Sequence, residues 1–303
     1  MRSINIAIGL EPNDLILLNE KAQIFSKKMQ YSQAISIYNS IITKKPESYA
    51  YSNRGIVKFN LGQKQAAIAD FNQAISVNPN DASAHSNRGA VKYNLGQKQA
   101  AITDYDRAIA INRNFADAYY NRGIAKYDLG QKQAAIVDFD QAISINPNYA
   151  DAYSSRGAAK YDLGQKQAAI ADFDQAISIN PNYADAYSNR GAAKYDLGQK
   201  QAAIADLDRA ININPNFAQA YVNRGAVKFA LGQKQSAIAD YDQAIAINPN
   251  FAQAYGNRGI VKSELGQKQS AISDLTKAAE LFRQQNRLDD YQRAIGLIQQ
   301  IRG

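Results

Sequence analysis

The hydrophobic and small positions of this chain recur every 34 residues over most of its length. Residues 150–183 read ADAYSSRGAAKYDLGQKQAAIADFDQAISINPNY, and residues 184–217 repeat them almost letter for letter. A fixed period of this length is typical of architectures in which each unit buries its apolar face against its neighbours. We therefore interpret the chain as an array of units, although its length alone would suggest about two globular domains.

Each unit predicts two helices, over positions 2–14 and about 17–30 when Ala150 is position 1. Gly164 ends the first helix. Pro181 stops the second, because proline cannot continue the hydrogen-bond ladder. Asn180 suits a left-handed C-cap, and Asn182 is placed to cap the helix that follows. The pattern predicts an all-α fold.

Residue size within the unit predicts how the two helices pack. Small residues recur where two helices approach closely, and large residues fill the remaining space. The small ones in this unit are Gly157, Ala169 and Ala176, and the large ones are Tyr153, Leu163, Ile170, Phe173 and Ile177.

The order aromatic, Gly, Leu-Gly, Ala, aromatic, Ala, Pro at positions 4, 8, 14–15, 20, 24, 27 and 32 resembles the tetratricopeptide repeat (TPR) family. The resemblance implies an alpha-alpha superhelix, a TPR solenoid of about eight helix–turn–helix repeats with a C-terminal capping helix. The chain departs from the family at position 7, which is Arg, and at position 11, which is Lys. Arg113 and Arg283 replace the proline in two repeats.

In this frame the chain divides into eight repeats and two end segments. The segments are 1–14 (tail of a partial upstream repeat), 15–47 (divergent repeat 1), 48–81, 82–115, 116–149, 150–183, 184–217, 218–251 and 252–285 (repeats 2 to 8), and 286–303 (capping helix). The capping helix is predicted from an apolar stripe. Its members are Leu288, Tyr291, Ile295, Ile298 and Ile301. The partial repeat leaves two alternatives: the chain is cut from a larger protein, or its first face is open to a partner or to self-association.

The repeated charges are interpreted mainly as scaffold. Position 7 lies opposite the groove side of the first helix, where a buried charge needs a partner. Asp172 at position 23 supplies one for Arg156, and the pairing recurs in repeats 2 to 8. The first repeat carries Lys21 and Ile37 instead. Lys166, in the Gln-Lys-Gln turn, is interpreted as a solubility and helix-start feature.

Positions 2, 5, 6, 9, 12 and 13 fall on one side of the first helix, and in the TPR family this side lines the concave groove. Position 6 carries an asparagine row: Asn53, Asn87, Asn121, Asn189, Asn223 and Asn257. An amide both donates and accepts, so the row can hold the backbone of an extended peptide. The alternative is that each amide bonds to a neighbouring repeat.

The middle of the groove is acidic and flanked by tyrosines, which predicts a surface that attracts cations. The residues are Asp117, Asp151 and Asp185 at position 2, Tyr127, Tyr161 and Tyr195 at position 12, and Asp128, Asp162 and Asp196 at position 13. The acids at position 2 also stabilise a helix N-terminus without any ligand. Those at position 13 lie near a helix C-terminus, where an acid is unfavourable, and this favours a functional interpretation.

Nothing in the sequence predicts catalysis. The chain has no cysteine and a single histidine, His85, which is interpreted as packing. It has no phosphate loop and no metal-ligand spacing, so we expect no enzyme activity, cofactor or metal. The N-terminal apolar run is a poor signal peptide, and no segment reaches the length of a membrane span. The expected location is cytoplasmic, with no membrane partner.

We therefore predict a scaffold or adaptor that binds an extended protein or peptide segment, basic or neutral, in its groove. One alternative is RNA binding, suggested by a net charge of +8 and a pI near 9.3. The acidic middle of the array and the inward arginines argue against nucleic acid. The other alternative is the targeting arm of a larger enzyme.

Overall fold

The structure is a computed structural model, and it describes residues 14–303. This part of the chain contains seventeen α-helices and no β-strand, which confirms the predicted all-α fold. The partial upstream repeat predicted at 1–14 lies almost entirely outside the described residues, and so does an open first face formed there.

The chain divides into two compact units, Met1–Pro147 and Asn148–Gly303. The first unit contains α1 (Leu15–Lys27), α2 (Tyr31–Lys44), α3 (Ser48–Asn60), α4 (Lys64–Val77), α5 (Ala82–Asn94), α6 (Lys98–Ile111), α7 (Ala116–Asp128) and α8 (Lys132–Ile145). The second contains α9 (Ala150–Asp162), α10 (Lys166–Ile179), α11 (Ala184–Asp196), α12 (Lys200–Ile213), α13 (Ala218–Ala230), α14 (Lys234–Ile247), α15 (Ala252–Glu264), α16 (Lys268–Gln284) and α17 (Leu288–Arg302).

Within each unit the helices form two layers. The two helices of a repeat pack against each other, and the second also packs on the first helix of the next repeat. First helices of successive repeats touch, whereas successive second helices in the same unit have no comparable contact. The first helices therefore line the inner side of each unit. We call positions 2, 5, 6, 9, 12 and 13 of the first helices the inner face.

The turn inside each repeat depends on a left-handed residue. Gly164 has φ of 79°, and the glycines at the same position of repeats 2 to 8 have φ between 75° and 79°. Glycine adopts this conformation without a steric penalty. In the first repeat the residue is Met29, with φ of 59°, so the divergent repeat makes the same turn with a side chain that disfavours it.

The end of the second helix corrects two expectations. Asn180 is extended, with φ of −126° and ψ of 92°, and Asn112, which precedes Arg113 rather than proline, has nearly the same conformation. Asn180 Oδ1 accepts a hydrogen bond from the Asn182 amide at 3.1 Å. The prediction of a left-handed C-cap was therefore wrong, and so was the capping role of Asn182, since Tyr183 occupies the N-cap without a side-chain bond.

The same turn shows that asparagine at position 31 can end the second helix without proline. Helix α6 ends at Ile111 although Arg113 replaces the proline, and Asn112 Oδ1 accepts from the Asn114 amide at 3.0 Å. Helix α16 has Phe282 at position 31 and continues to Gln284. The Asx turn competes with the helix for backbone donors and ends it without proline.

Close approach of the two layers explains the small positions. A Cβ added to Gly157 would lie 2.8 Å from the Phe173 ring, so only glycine fits there. Ala169 and Ala176 are completely buried. Leu163, predicted to fill the interior, is instead 41% exposed at the turn.

The last helix packs on α16 through part of the predicted stripe. Ile298 is buried, and Tyr291, Ile295 and Ile301 are half-buried. Leu288 is 57% exposed, so its inclusion in the stripe was wrong, and the second buried residue of α17 is Ala294. None of the described helices is long and apolar enough to cross a membrane.

Candidate functional site

An ion cluster joins the two helices of each repeat from the second to the eighth. Asp206 is buried, and its carboxylate accepts from Arg190 Nε at 2.9 Å and Nη2 at 2.5 Å. Lys194 Nζ lies 2.8 Å from the same carboxylate. The same arrangement holds for Arg54 with Asp70, Arg88 with Asp104, Arg122 with Asp138, Arg156 with Asp172, Arg224 with Asp240 and Arg258 with Asp274. The predicted inward pairing is confirmed.

The arginine also ties its repeat to the one before. Arg190 Nη1 donates to Asp174 Oδ1 at 2.6 Å, on the second helix of the preceding repeat. Its guanidinium lies 5.3 Å from the centre of the Tyr187 ring. Burial by itself lowers the pKa of Arg190, but the hydrogen bonds to Asp206 and Asp174 raise it overall. The guanidinium is fully engaged within the scaffold and does not line the inner face.

The turn lysine has a structural role that the sequence analysis missed. Lys200 Nζ donates to the Ala230 carbonyl at 2.9 Å, at the end of the first helix of the next repeat. Lys166 Nζ lies 3.3 Å from Asp196 Oδ2 at the corresponding place. A cation at a helix C-terminus satisfies free carbonyls and complements the helix dipole. Interpreting Lys166 as a solubility feature was therefore incomplete.

Two of the position-13 acids have partners from the preceding repeat. Tyr161 Oη donates to Asp196 Oδ2 at 2.9 Å, and Tyr93 Oη donates to Asp128 Oδ2 at 2.5 Å. Burial, followed by the bond to Asp196, raises the pKa of Tyr161 to about 12. The unfavourable position of Asp196 is thus compensated by Lys166 and Tyr161 without a ligand. Position alone no longer argues that these acids are functional.

The asparagine row divides into two groups. Asn53 Nδ2 donates to Asn19 Oδ1 at 3.1 Å, and Asn223 Nδ2 donates to Ser188 Oγ at 3.3 Å. These two amides bond to a neighbouring repeat, as the alternative interpretation expects, and Asn257 interacts with the buried Tyr241 of the repeat before it.

The other amides of the row differ. Asn87, Asn121 and Asn189 are half-buried and make no side-chain hydrogen bond with any residue from 14 to 303. Asp117, Asp151 and Asp185 are exposed in the first turns of their helices. Tyr127 and Tyr195 are half-buried. The free amides and the position-2 acids are therefore the predicted residues most open to a ligand.

In the second unit, several predicted residues surround one cavity of about 190 Å³ on the inner face. Its lining comprises Tyr161, Ala192, Tyr195, Asp196, Leu207, Asn223, Ala226, Val227 and Gln253. Gln253 was not predicted, although it occupies position 2, like Asp151 and Asp185. Its position on the inner side of the first helix was the signal that could have identified it. Among residues 14–303 no group of three or more His, Asp or Glu side chains is placed to hold a metal ion.

The two-layered helix pairs and the inner face define a helical-repeat protein. Models described as "Tetratricopeptide repeat" match residues 116–149, 218–251 and 240–273, and one described as "TPR repeat" matches 55–96, 92–130, 159–198 and 193–232. Together these matches cover more than half of the chain. The chain belongs to the tetratricopeptide repeat family.

Solved structures agree on the fold. A tetratricopeptide repeat protein from Parabacteroides merdae is 23% identical, with 82% of this chain and 98% of that chain covered and a TM-score of 0.62. The APC/C hetero-tetramer Cut9-Hcn1 matches at 18% identity over 94% of this chain and 56% of that chain, with a TM-score of 0.68. YrrB, a TPR protein with an unusual peptide-binding site, matches at 23% identity over 61% and 95%, with a TM-score of 0.50. A comparison with curated proteins gave no significant match.

Proposed function

We propose that this protein is a non-catalytic scaffold or adaptor that binds an extended segment of another protein along its inner face. The observation that carries the proposal is the group of free amides, Asn87, Asn121 and Asn189, on that face. Because these amides bond to no neighbouring repeat, their donors and acceptors remain available to a ligand. A peptide backbone offers them both a donor and an acceptor.

The charge of the inner face favours a basic or neutral segment. Asp151 and Asp185 are exposed in successive first helices, and Asp196 lines the adjacent cavity beside Tyr161 and Tyr195. Carboxylates beside low-dielectric aromatic walls attract cations. The tyrosines supply flat surface that packs on the stems of lysine and arginine side chains.

The alternative of RNA binding receives less support. RNA binding requires accessible cations, but the arginines of repeats 2 to 8 are held by buried aspartates, and the acids face the groove. YrrB, similar in fold, has a peptide-binding site. This supports a peptide rather than a nucleic acid as the ligand class here.

The test is selection of peptides from a displayed random library, followed by affinity measurement for the enriched sequences. We expect Lys- and Arg-containing peptides. Asn189→Ala should weaken them about three- to tenfold, the range of one lost hydrogen bond. Asp185→Asn should weaken them by a similar factor that shrinks in high salt.

Glu280→Gln is the control for charge, because Glu280 is exposed on the second helix α16, away from the inner face. It should leave affinity unchanged. Asn53→Ala is the control for the asparagine row, and it should lower stability without changing affinity for a peptide in the second unit. If neither Asn189→Ala nor Asp185→Asn alters affinity for any selected peptide, the inner face is not the binding site.

A further inference from the structure

A second cavity lies at the C-terminal end of the inner face, between α15, α16 and α17. We call it the terminal pocket, and its volume is about 250 Å³. Its apolar lining comprises Gly256, Ile260, Leu275, Phe282, Ala294 and Leu297. An apolar cavity of about 150 Å³ is enough to hold benzene, so the terminal pocket has room for one apolar side chain.

Two small side chains of repeat 8 leave room for the pocket. Gly256 stands at position 5, where the preceding repeat has Val222 and several others have a buried serine. A Cβ added to Gly256 would meet nothing nearer than the Ala278 Cβ at 3.8 Å. Leu275 replaces the aromatic residue that most repeats carry at position 24. Both changes remove volume from one place, although glycine within a helix costs about 1 kcal/mol relative to alanine.

The rim of the terminal pocket carries more positive than negative charge. Arg287 lies over the Phe282 ring at 4.7 Å and makes two short contacts with Asp290, at 2.8 Å and 2.7 Å. Arg293 is 3.8 Å from the same carboxylate, and its side chain is 80% exposed. One carboxylate thus faces two guanidinium groups, and Arg293 keeps most of its donors for an anion.

The terminal pocket adjoins the inner-face cavity. Gln253 lines both cavities, and Asn257 of the asparagine row lines the terminal pocket. A chain lying along the second unit past Asn223 would therefore arrive at the apolar floor and at Arg293. This continuity places the pocket at one end of the proposed binding path.

We propose that the terminal pocket binds the C-terminal residue of the bound segment, with an apolar side chain in the cavity and the free carboxylate on Arg293. A C-terminal Leu, Ile, Val or Phe combines an apolar body and a carboxylate within one residue, whereas an internal Asp or Glu has no such body. The upstream basic residues of the segment then face Asp196 and Asp185. The inference rests on the proposed peptide-binding function.

The test uses the full chain and the fluorescein-labelled peptide Gly-Lys-Ser-Lys-Gly-X, where X is Leu, Ile, Val or Phe, with a C-terminal glycine for comparison, as free acid and as C-terminal amide. Fluorescence anisotropy gives the dissociation constants. We expect at least one free acid to bind about tenfold more tightly than its amide, as for loss of a charge-assisted bond. Gly256→Val should remove the preference for X over a C-terminal glycine by filling the pocket with the residue found at position 222.

Arg293→Ala should reduce the difference between acid and amide to about twofold or less, because it removes the charged donor. Arg302→Ala makes the same change of charge on α17 outside the pocket and should preserve the difference. Circular dichroism melts check that each variant folds. Gly256→Ser fills less of the pocket than Gly256→Val does and should have a smaller effect on the preference for X.

The outcomes separate this proposal from the proposed function. The terminal pocket is overturned if acid and amide bind equally, or if the preference for X over a C-terminal glycine survives Gly256→Val. If Asp185→Asn still weakens both peptides in that case, the inner face remains the binding site. If affinity depends on Arg293 and Gly256 but not on Asp185 or Asn189, the terminal pocket is supported and the proposed binding along the rest of the inner face is contradicted. Failure of every free acid to bind overturns the pocket.

Discussion

At the scale of single residues, repeated polar side chains in this protein divide according to whether a neighbour satisfies them. The aspartates at position 23 are only 1% to 6% exposed, and each accepts from an arginine and a lysine. Asn53 and Asn223 are held by adjacent repeats, whereas Asn121 and Asn189 are not. Recurrence alone therefore does not mark function here, and a polar side chain without a partner in the neighbouring repeat is the better indicator.

His85 is the clearest single-residue exception. It occupies position 4, where Tyr119 and Tyr153 stack on an arginine of the same helix. Its Nε2 lies 3.2 Å from the Pro79 carbonyl, and its Nδ1 is buried without a partner among the described residues. Burial lowers the pKa of His85, although the Pro79 contact opposes this, and nearby Arg88 lowers it further.

His85→Tyr should therefore stabilise the protein more at low pH than at high pH. The folded chain favours neutral His85, whereas the unfolded chain protonates it near the ordinary value of 6.5. Stability from this residue is complete above that value and is lost as the pH falls through it towards the lowered folded pKa. Thermal melts at about pH 8 and about pH 5.5 test this across the histidine range. An equal shift in Tm at both pH values would contradict it.

At the scale of helices, the ion cluster links the two helices of a repeat and also links that repeat to the preceding one. Arg190 binds buried Asp206 within its repeat and half-exposed Asp174 in the one before. A buried ion pair leaves an uncompensated charge when one partner is lost, whereas an exposed pair contributes little. The two bonds of one arginine should therefore differ in strength.

Double-mutant cycles can measure that difference. We expect Asp206→Ala to destabilise by about 3–5 kcal/mol, because it leaves Arg190 and Lys194 without their buried carboxylate. Asp174→Ala should cost about 1 kcal/mol or less. Urea unfolding of the single variants and of each double variant with Arg190→Ala gives the coupling energies. Equal coupling for the two aspartates would show that burial does not decide their contribution.

At the scale of the whole molecule, the array is uneven because its first repeat lacks the ion cluster. Lys21 and Ile37 stand where other repeats have Arg and Asp, and no ion pair within the described chain involves Lys21. The turn of this repeat also holds Met29 in the left-handed region. In repeat proteins stability is approximately a sum of repeat and interface contributions, so such a repeat opens more readily than its neighbours.

Hydrogen exchange should show this order directly. We expect the amides of α1 and α2 to exchange faster than those of α11 and α12 in the middle of the second unit. Met29→Gly should slow exchange in α1 and α2, since removal of left-handed strain is equivalent to about 1 kcal/mol. Gly198→Ala, at the same position of repeat 6 with φ of 79°, is the opposite control and should accelerate exchange in α11 and α12. Uniform protection across the array would contradict the prediction.

The repeat and much of the scaffold follow directly from the sequence. The 34-residue period, the turn glycines and the paired Arg and Asp positions are local or strictly periodic, and steric and charge rules apply to them directly. The helix ends were harder to predict. Asparagine is favoured both in an Asx turn and in a left-handed helix cap, so the residue type at position 180 does not distinguish the two. Only the backbone conformation of Asn180 does.

Which polar groups remain for a ligand depends on how the repeats pack together. The partners of Asn53, Asn223 and Asp196 come from the preceding repeat, about one period away in sequence. Near-identical repeats give near-identical signals, so sequence reasoning could not show which amides are satisfied. The terminal pocket is lined by Gly256, which has no side chain, and by residues of α17. The sequence does not show how α17 packs, so it could not predict a cavity between these helices.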